Sequence, residues 1–171
     1  MQIEETHLSA PVEQKIAWAQ DRYQESGDRL RRSRAVSDLL DRLKNAIRMS
    51  GEKMARSGLA RLCRECDRDE GGSCCGAGLE NRYNGWLLLI NLLLHTQLPK
   101  DRIDPQSCFF LGKTGCLLQA RHVICVNYVC KKISLQIDPG QLAALREKEG
   151  EELETLFLLH EEVKKTLRQS S

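Results

Sequence analysis

At 171 residues the chain has room for one domain of ordinary size and not for two. Its 41% hydrophobic and 29% charged residues exclude a low-hydrophobicity disordered chain, and the 5% aromatic share predicts a core built mostly of leucine. With 26 Lys and Arg against 24 Asp and Glu, the net charge of +2 is too small to pull the whole chain onto nucleic acid or an anionic membrane.

Residues 1–10 read as a flexible polar lead-in. Met1 to Val12 carry neither the basic nor the apolar segment of a secretory signal, so the expected location is cytoplasmic. From Pro11, the positions Val12, Ile16, Ala19 and Tyr23 step by four, three and four along one face of a helix. Ser26-Gly27-Asp28 is placed to break or kink it. The pattern resumes at Val36, Leu39, Leu40, Leu43, Ile47 and Met54, predicting a second amphipathic helix to about Ser57 with Gly58 as its stop. Residues 11–58 thus form an N-terminal pair of helices.

Leu79 to Gln97 is apolar almost all round and predicts a buried helix that ends near Pro99. Its dense stretch, Trp86 to Leu94, is far short of the roughly 20 residues needed to cross a bilayer, and Asn91 interrupts it. Cys108 to Cys130 reads as loops with short helical turns or a small hairpin. Asp138-Pro139 is a helix N-cap with Pro in the first turn, and a C-terminal helix within 133–171 keeps its rhythm to the end, broken once at Glu149 and weakened at Gly150. The expected fold is mainly α, a helical bundle with a cysteine-rich, loop-containing segment at 59–132 between the long helices.

All eight cysteines lie in that segment, spaced Cys63-x2-Cys66-x7-Cys74-Cys75 and, after a gap, Cys108-x7-Cys116-x8-Cys125-x4-Cys130. Three readings compete. Cysteine is a small apolar residue that cores accept, but Cys63, Cys66, Cys74 and Cys75 sit among Arg, Glu, Asp and Gly, where no core face runs. Disulfides or a thiol switch need a suitable redox setting, and a reducing cytoplasm opposes permanent bridges. Metal binding accounts for most: zinc and iron–sulfur clusters both take four thiolates, and a two-residue spacer lets two sulfurs converge on one ion. A structural zinc site also adds about 10–16 kcal/mol of apparent binding energy where apolar residues are thin. Lys113, Arg121, Lys131 and Lys132 are near enough in sequence to offset thiolate charge, or are plain surface charge.

These residues resemble a known family. Cys63-Arg-Glu-Cys66 leading to Cys74-Cys75, Cys108-Phe-Phe-Leu111, Gly115-Cys116-Leu-Leu and Arg121-His-Val-Ile-Cys125 are similar to the cysteine-cluster family, the YkgJ-like or CxxCxxCC proteins, over residues 59–132. The resemblance implies a zinc- or iron-chelating domain with all eight thiols matched, Leu111 and Arg121 matching further positions. Some larger relatives imply an iron–sulfur-dependent redox or protein-modifying enzyme. Two departures stand out: seven residues, where the family pattern has two, precede the Cys-Cys pair, and His122 replaces a proline. Eight thiols already over-supply one ion, so His122 is read as no ligand.

Other signals are weaker. Residues 29–61 hold ten Lys and Arg against three Asp and Glu, and residues 138–168 hold eight acids against five bases. A basic helix could track phosphates, but it has no aromatic residue to stack on bases, so nucleic-acid binding is a minor alternative to charges that offset or are solvated. Gly71-Gly72 and Gly76-x-Gly78 read as freeing the backbone around a ligand. His95 and His160 read as polar residues on helix faces. No triad, phosphate loop or carboxylate pair marks a catalytic site, and the expected partner is a metal ion, with no membrane.

Overall fold

The computed structural model describes residues 9–59, 61–63, 65 and 75–169. Helix α1 spans Val12–Arg32 and buries Val12, Ile16, Ala19 and Leu30 on the face that the spacing marks. It passes through Ser26-Gly27-Asp28 unbroken. Gly27 is packed beneath the Tyr23 ring, and a single helical glycine costs only about 1 kcal/mol, which a long packed helix absorbs. The chain turns instead at Ser33, where the backbone becomes extended, and α2 runs over Arg34–Arg56. Gly58, at φ +75°, follows its end in the left-handed conformation that closes helices.

The single buried helix expected over 79–97 is divided and shorter. Leu79–Arg82 is a 3₁₀ turn, Tyr83 and Asn84 are extended, and α3 occupies Gly85–Leu93. Asn84 sets that start, its side-chain oxygen accepting the Leu87 N–H at 2.9 Å, an N-cap that competes with continued helix. At the other end His95 has φ +63°, so α3 stops before Pro99 is reached, and His95 is not on a helix face.

A hairpin follows, β1 (Leu111–Gly112) antiparallel to β2 (Gly115–Cys116), with Leu111 opposite Cys116. Short helices α4 (Val123–Asn127) and α5 (Lys131–Ser134) lead to α6 (Pro139–Arg168), whose N-cap Asp138 accepts the Gln141 N–H at 2.9 Å.

The most extensive helix pairing is α2 along α6, followed by α1 on α3. Together they enclose a core in which Leu30, Leu43, Leu88, Leu89, Ile90 and Leu159 are fully buried. A second, smaller cluster holds Leu59, Ile137 and Leu145 near the start of α6. Between α2 and α6, Ser50 donates to the buried Glu152. The basic residues of α2 pair instead along their own helix, Arg34 with Asp38, Lys44 with Asp41 and Arg48 with Glu52. Such exposed pairs are worth about 0.3–0.5 kcal/mol each, so the basic charge is solvated rather than offset by α6. Glu149, the one break in the α6 pattern, is buried and bonded to Arg146 at 2.7 Å. Among the described residues no helix is long and apolar enough to cross a membrane.

Gly85 carries the closest approach in the core, since a Cβ there would lie 2.4 Å from Trp18 Cε3. Trp18 is held edge-on to Trp86 with ring centroids 4.9 Å apart. Gly85→Ala should therefore displace Trp18 and cost about 1–3 kcal/mol despite the better helix propensity of alanine. A lowered urea midpoint with altered tryptophan fluorescence checks this.

Candidate functional site

The segments that carry the thiols have little regular structure, so their buried backbone groups need partners from elsewhere. Three buried polar side chains between residues 80 and 91 supply them. Glu80, 4% exposed, accepts the Gly78 N–H at 3.0 Å and the Phe109 N–H at 3.4 Å, and its other oxygen accepts from Arg102. Arg102 also donates to the Ser107 carbonyl. The strands of loop so clamped exchange backbone bonds: Cys108 N–H donates to the Cys75 carbonyl at 2.6 Å and Ala77 N–H to the Gln106 carbonyl at 2.9 Å.

Tyr83 is the second. Its hydroxyl donates to Cys125 Sγ at 3.5 Å and accepts the His122 N–H at 3.2 Å. Its ring stands edge-on to Phe110, with centroids 5.0 Å apart. Asn91, fully buried in α3, is the third. Its oxygen accepts the Gln119 and Ala120 N–H groups at 2.9 and 3.1 Å, while its amide donates to the Ala120 and Leu87 carbonyls at 2.8 and 2.9 Å. The polar interruption of the apolar stretch is thus the anchor of the segment between Cys116 and Cys125.

This scaffold gathers Cys75, Cys108, Cys116 and Cys125 into one neighbourhood. Burial pushes the Cys108 thiol up to about 12, with a bond from the Phe110 N–H opposing and the negative charges of Glu80, Cys116 and Cys75 adding. Desolvation likewise raises Cys116, although the residue is exposed at the hairpin; the Leu118 N–H and Arg121 pull down, and Cys125 and Cys75 push up. Tyr83 is raised by burial, by its bond to Cys125 and by the charge of both Cys125 and Cys116. These thiols are therefore electrically coupled, and burial favours the protonated form of Cys108 and Cys116 unless a cation compensates them.

Cys63 and Cys130 go elsewhere. They pack together with Met54, Leu62, Val129 and Leu142 on the Leu59, Ile137 and Leu145 cluster. The division is not into the two quartets of the sequence, because Cys75 joins three members of the second quartet and Cys130 leaves it. Cys66, Cys74 and Gly71-Gly72 lie outside the described residues. Cys108, Cys116, Cys125 and Cys130 are free thiols, and among the described residues no three His, Cys, Asp or Glu side chains stand close enough to hold one ion.

Of the cations considered for charge compensation, Arg121 is felt at Cys116, whereas Lys113 and Lys131 are exposed and the Lys132 side chain lies outside the description. His122 caps α4, its Nδ1 accepting the Ile124 N–H at 3.3 Å, and burial together with Arg82 holds its pKa below the usual histidine value. Glu80, Tyr83 and the role of Asn91 were not marked by sequence reasoning. No spacing rule marks a lone polar residue that bonds to distant backbone, and only the presence of Asn91 inside an apolar run signalled it. No family model matches the chain, nor does any curated protein or solved structure.

Asn91→Leu should leave three backbone groups at Gln119 and Ala120 without their partners and cost at least about 2 kcal/mol. Hydrogen exchange at those two amides, accelerated relative to the α2 and α6 amides, is the measurement. For Glu80, burial alone would raise the pKa, but Arg102 and the Gly78 and Phe109 N–H groups outweigh it and the net shift is downward. A depressed carboxylate stabilises the fold above its ordinary value of 4.5 and stops doing so as pH falls through the folded-state value. The stability lost in Glu80→Gln should therefore be full at about pH 7 and shrink at about pH 3, read from urea midpoints of both proteins.

Proposed function

We propose that this is a cytoplasmic metal-binding protein that holds zinc or an iron–sulfur cluster through cysteine thiolates, with Cys75, Cys108, Cys116 and Cys125 as the principal ligands. The observation that carries this reading is that thiols far apart in sequence feel one another's charge: Tyr83 bonds to Cys125 Sγ and feels Cys116, and Cys75 acts on both Cys108 and Cys116. Nothing in the packing requires sulfur there, since an apolar core would be served by alanine or valine. The donor chemistry fits: four sulfurs match the ligand number of both zinc and cubane clusters. Binding would drive off the thiol protons, which burial otherwise holds in place at Cys108 and Cys116, and would draw the loop segments closer together.

The resemblance to the cysteine-cluster family supports the same reading and extends it to Cys63, Cys66, Cys74 and Cys130. Cys63 and Cys130, both packed against the smaller cluster, are candidates for a second centre rather than for the first. Bound zinc would cross-link the loops, and a bound iron–sulfur cluster would supply electron transfer. The reading as a redox or protein-modifying enzyme is favoured by one feature, a cavity that begins at Arg121, His122 and Val123, next to the helix that carries Cys125.

Anaerobically purified protein should contain zinc or iron at stoichiometric levels by elemental analysis, brown visible absorption marking iron and a colourless sample zinc. Cys108→Ser and Cys125→Ser should lower occupancy at least about tenfold, more than loss of an outer-shell partner does, while Cys130→Ser leaves the principal centre filled. Protein free of both metals, with an unfolding midpoint that a chelator does not move, would overturn the reading.

A further inference from the structure

A cavity of about 490 Å³ opens between the 3₁₀ turn, the start of α4 and the middle of α6, a volume in the range of small-molecule sites. Two arginines, Arg82 and Arg121, and two histidines, His122 and His160, line it, and no carboxylate does among the described residues. Its floor is apolar. Leu87 and Leu156 are buried beneath it, and Val123 and Phe157 stand on its rim with 44% and 63% of their surface exposed.

Among the described residues the two arginines of this cavity are not consumed by ion pairs that would explain them. Arg82 is exposed, and its charge acts on His122. Arg121 makes one long hydrogen bond, 3.4 Å to the Cys125 carbonyl, out of the five donors a guanidinium offers. Glu149 feels Arg121 but bonds to Arg146, and Glu161 is paired with His160 at 3.0 Å. A water-exposed phenylalanine beside two guanidiniums over a leucine floor is the arrangement expected where an apolar body is buried and its anionic head is held by planar, bidentate donors.

We propose that this cavity binds a small amphiphilic anion, a carboxylate or phosphate group carried on an apolar chain or ring. Arg82 and Arg121 hold the head group, and Leu87, Leu156 and Phe157 cover the apolar part. No thiol lines the site, so a metal-free protein would leave this inference untouched.

The test is titration of the full chain, as purified, with octanoate, octyl phosphate, 1-octanol and octylammonium, followed by calorimetry and backbone NMR shifts. One of the two anions should bind saturably with a Kd at or below about 1 mM, and the tighter of the two identifies the head group. The largest shifts should fall at Arg82, Arg121, Leu153 and Phe157. Octanol and octylammonium should bind at least about tenfold more weakly, and Arg82→Gln, at an exposed position that leaves the fold intact, should weaken the anion several-fold. Adding Arg121→Gln should weaken it further with an unchanged circular dichroism spectrum. Octanol binding as tightly as octanoate, tighter octylammonium, no saturation, or affinity unchanged by Arg82→Gln would overturn the proposal. So would a dimer that Phe157→Asp dissociates in the absence of anion binding, since the cavity would then belong to a second copy of the chain.

Discussion

Backbone groups that lack regular secondary structure must still find hydrogen-bond partners when buried, and in this protein Glu80, Tyr83 and Asn91 provide them for three separate loops. Each residue sits on or beside the most apolar part of the chain, where a stranded polar group would cost about 1–3 kcal/mol. Each therefore reports on its loop: if the loop shifts, the bond is lost without water to replace it. Helix α3 is buried on nearly every side and so cannot move to follow a displaced loop. The thiol-bearing segments are consequently placed by the scaffold they lie on, and not by strands or helices of their own.

The same logic explains the two charges admitted to this region. Lys15 of α1 is fully buried and reaches the Asn81 carbonyl at 3.0 Å, while Glu80 next to it meets Arg102. Burial lowers the pKa of Lys15 and the Glu80 charge works against that, while Glu80 itself is held by Arg102 and backbone N–H groups. The Lys15 bond ties α1 to the 3₁₀ turn, and Glu80 of that turn holds the loop of Cys108 through the Phe109 N–H. An apolar contact would bury the same surface but fix no loop orientation, since dispersion and hydrophobic terms have little directionality.

Much of the helical frame could be read directly from residue spacing. The buried faces of α1 and α2, the Gly58 stop and the Asp138 cap follow from patterns that span several turns and so average over local exceptions. The failures are local. Gly27 looked like a breaker because propensity ignores the packing of Tyr23 over it, and Asn84 cut a helix that hydropathy alone would run together. The cysteine pattern pointed to a localised centre but gave no partition. Which thiols meet depends on Glu80, Tyr83 and Asn91 bonding across long stretches of chain, and no periodicity encodes that. Cys130 shows the limit most clearly: five residues from Cys125 in sequence, it lies in a different apolar cluster because α4 ends at Asn127 and the chain turns toward α6.

Helix α4 is where the two candidate sites come closest. It begins at His122, whose backbone is fixed by Tyr83, and carries Cys125 toward that same hydroxyl, while Arg121 and Val123 at its start face the cavity. Arg121 is common to both sides: its charge favours the ionised form of Cys116, and it also lines the cavity. A guanidinium cannot lose its proton, so its field is constant, and any negative charge gained on one side is attracted to the same cation as charge on the other. The five-residue α4 is too short to persist alone and owes its place to Tyr83 below and α6 above. Tyr83 therefore bears on the geometry of both sites.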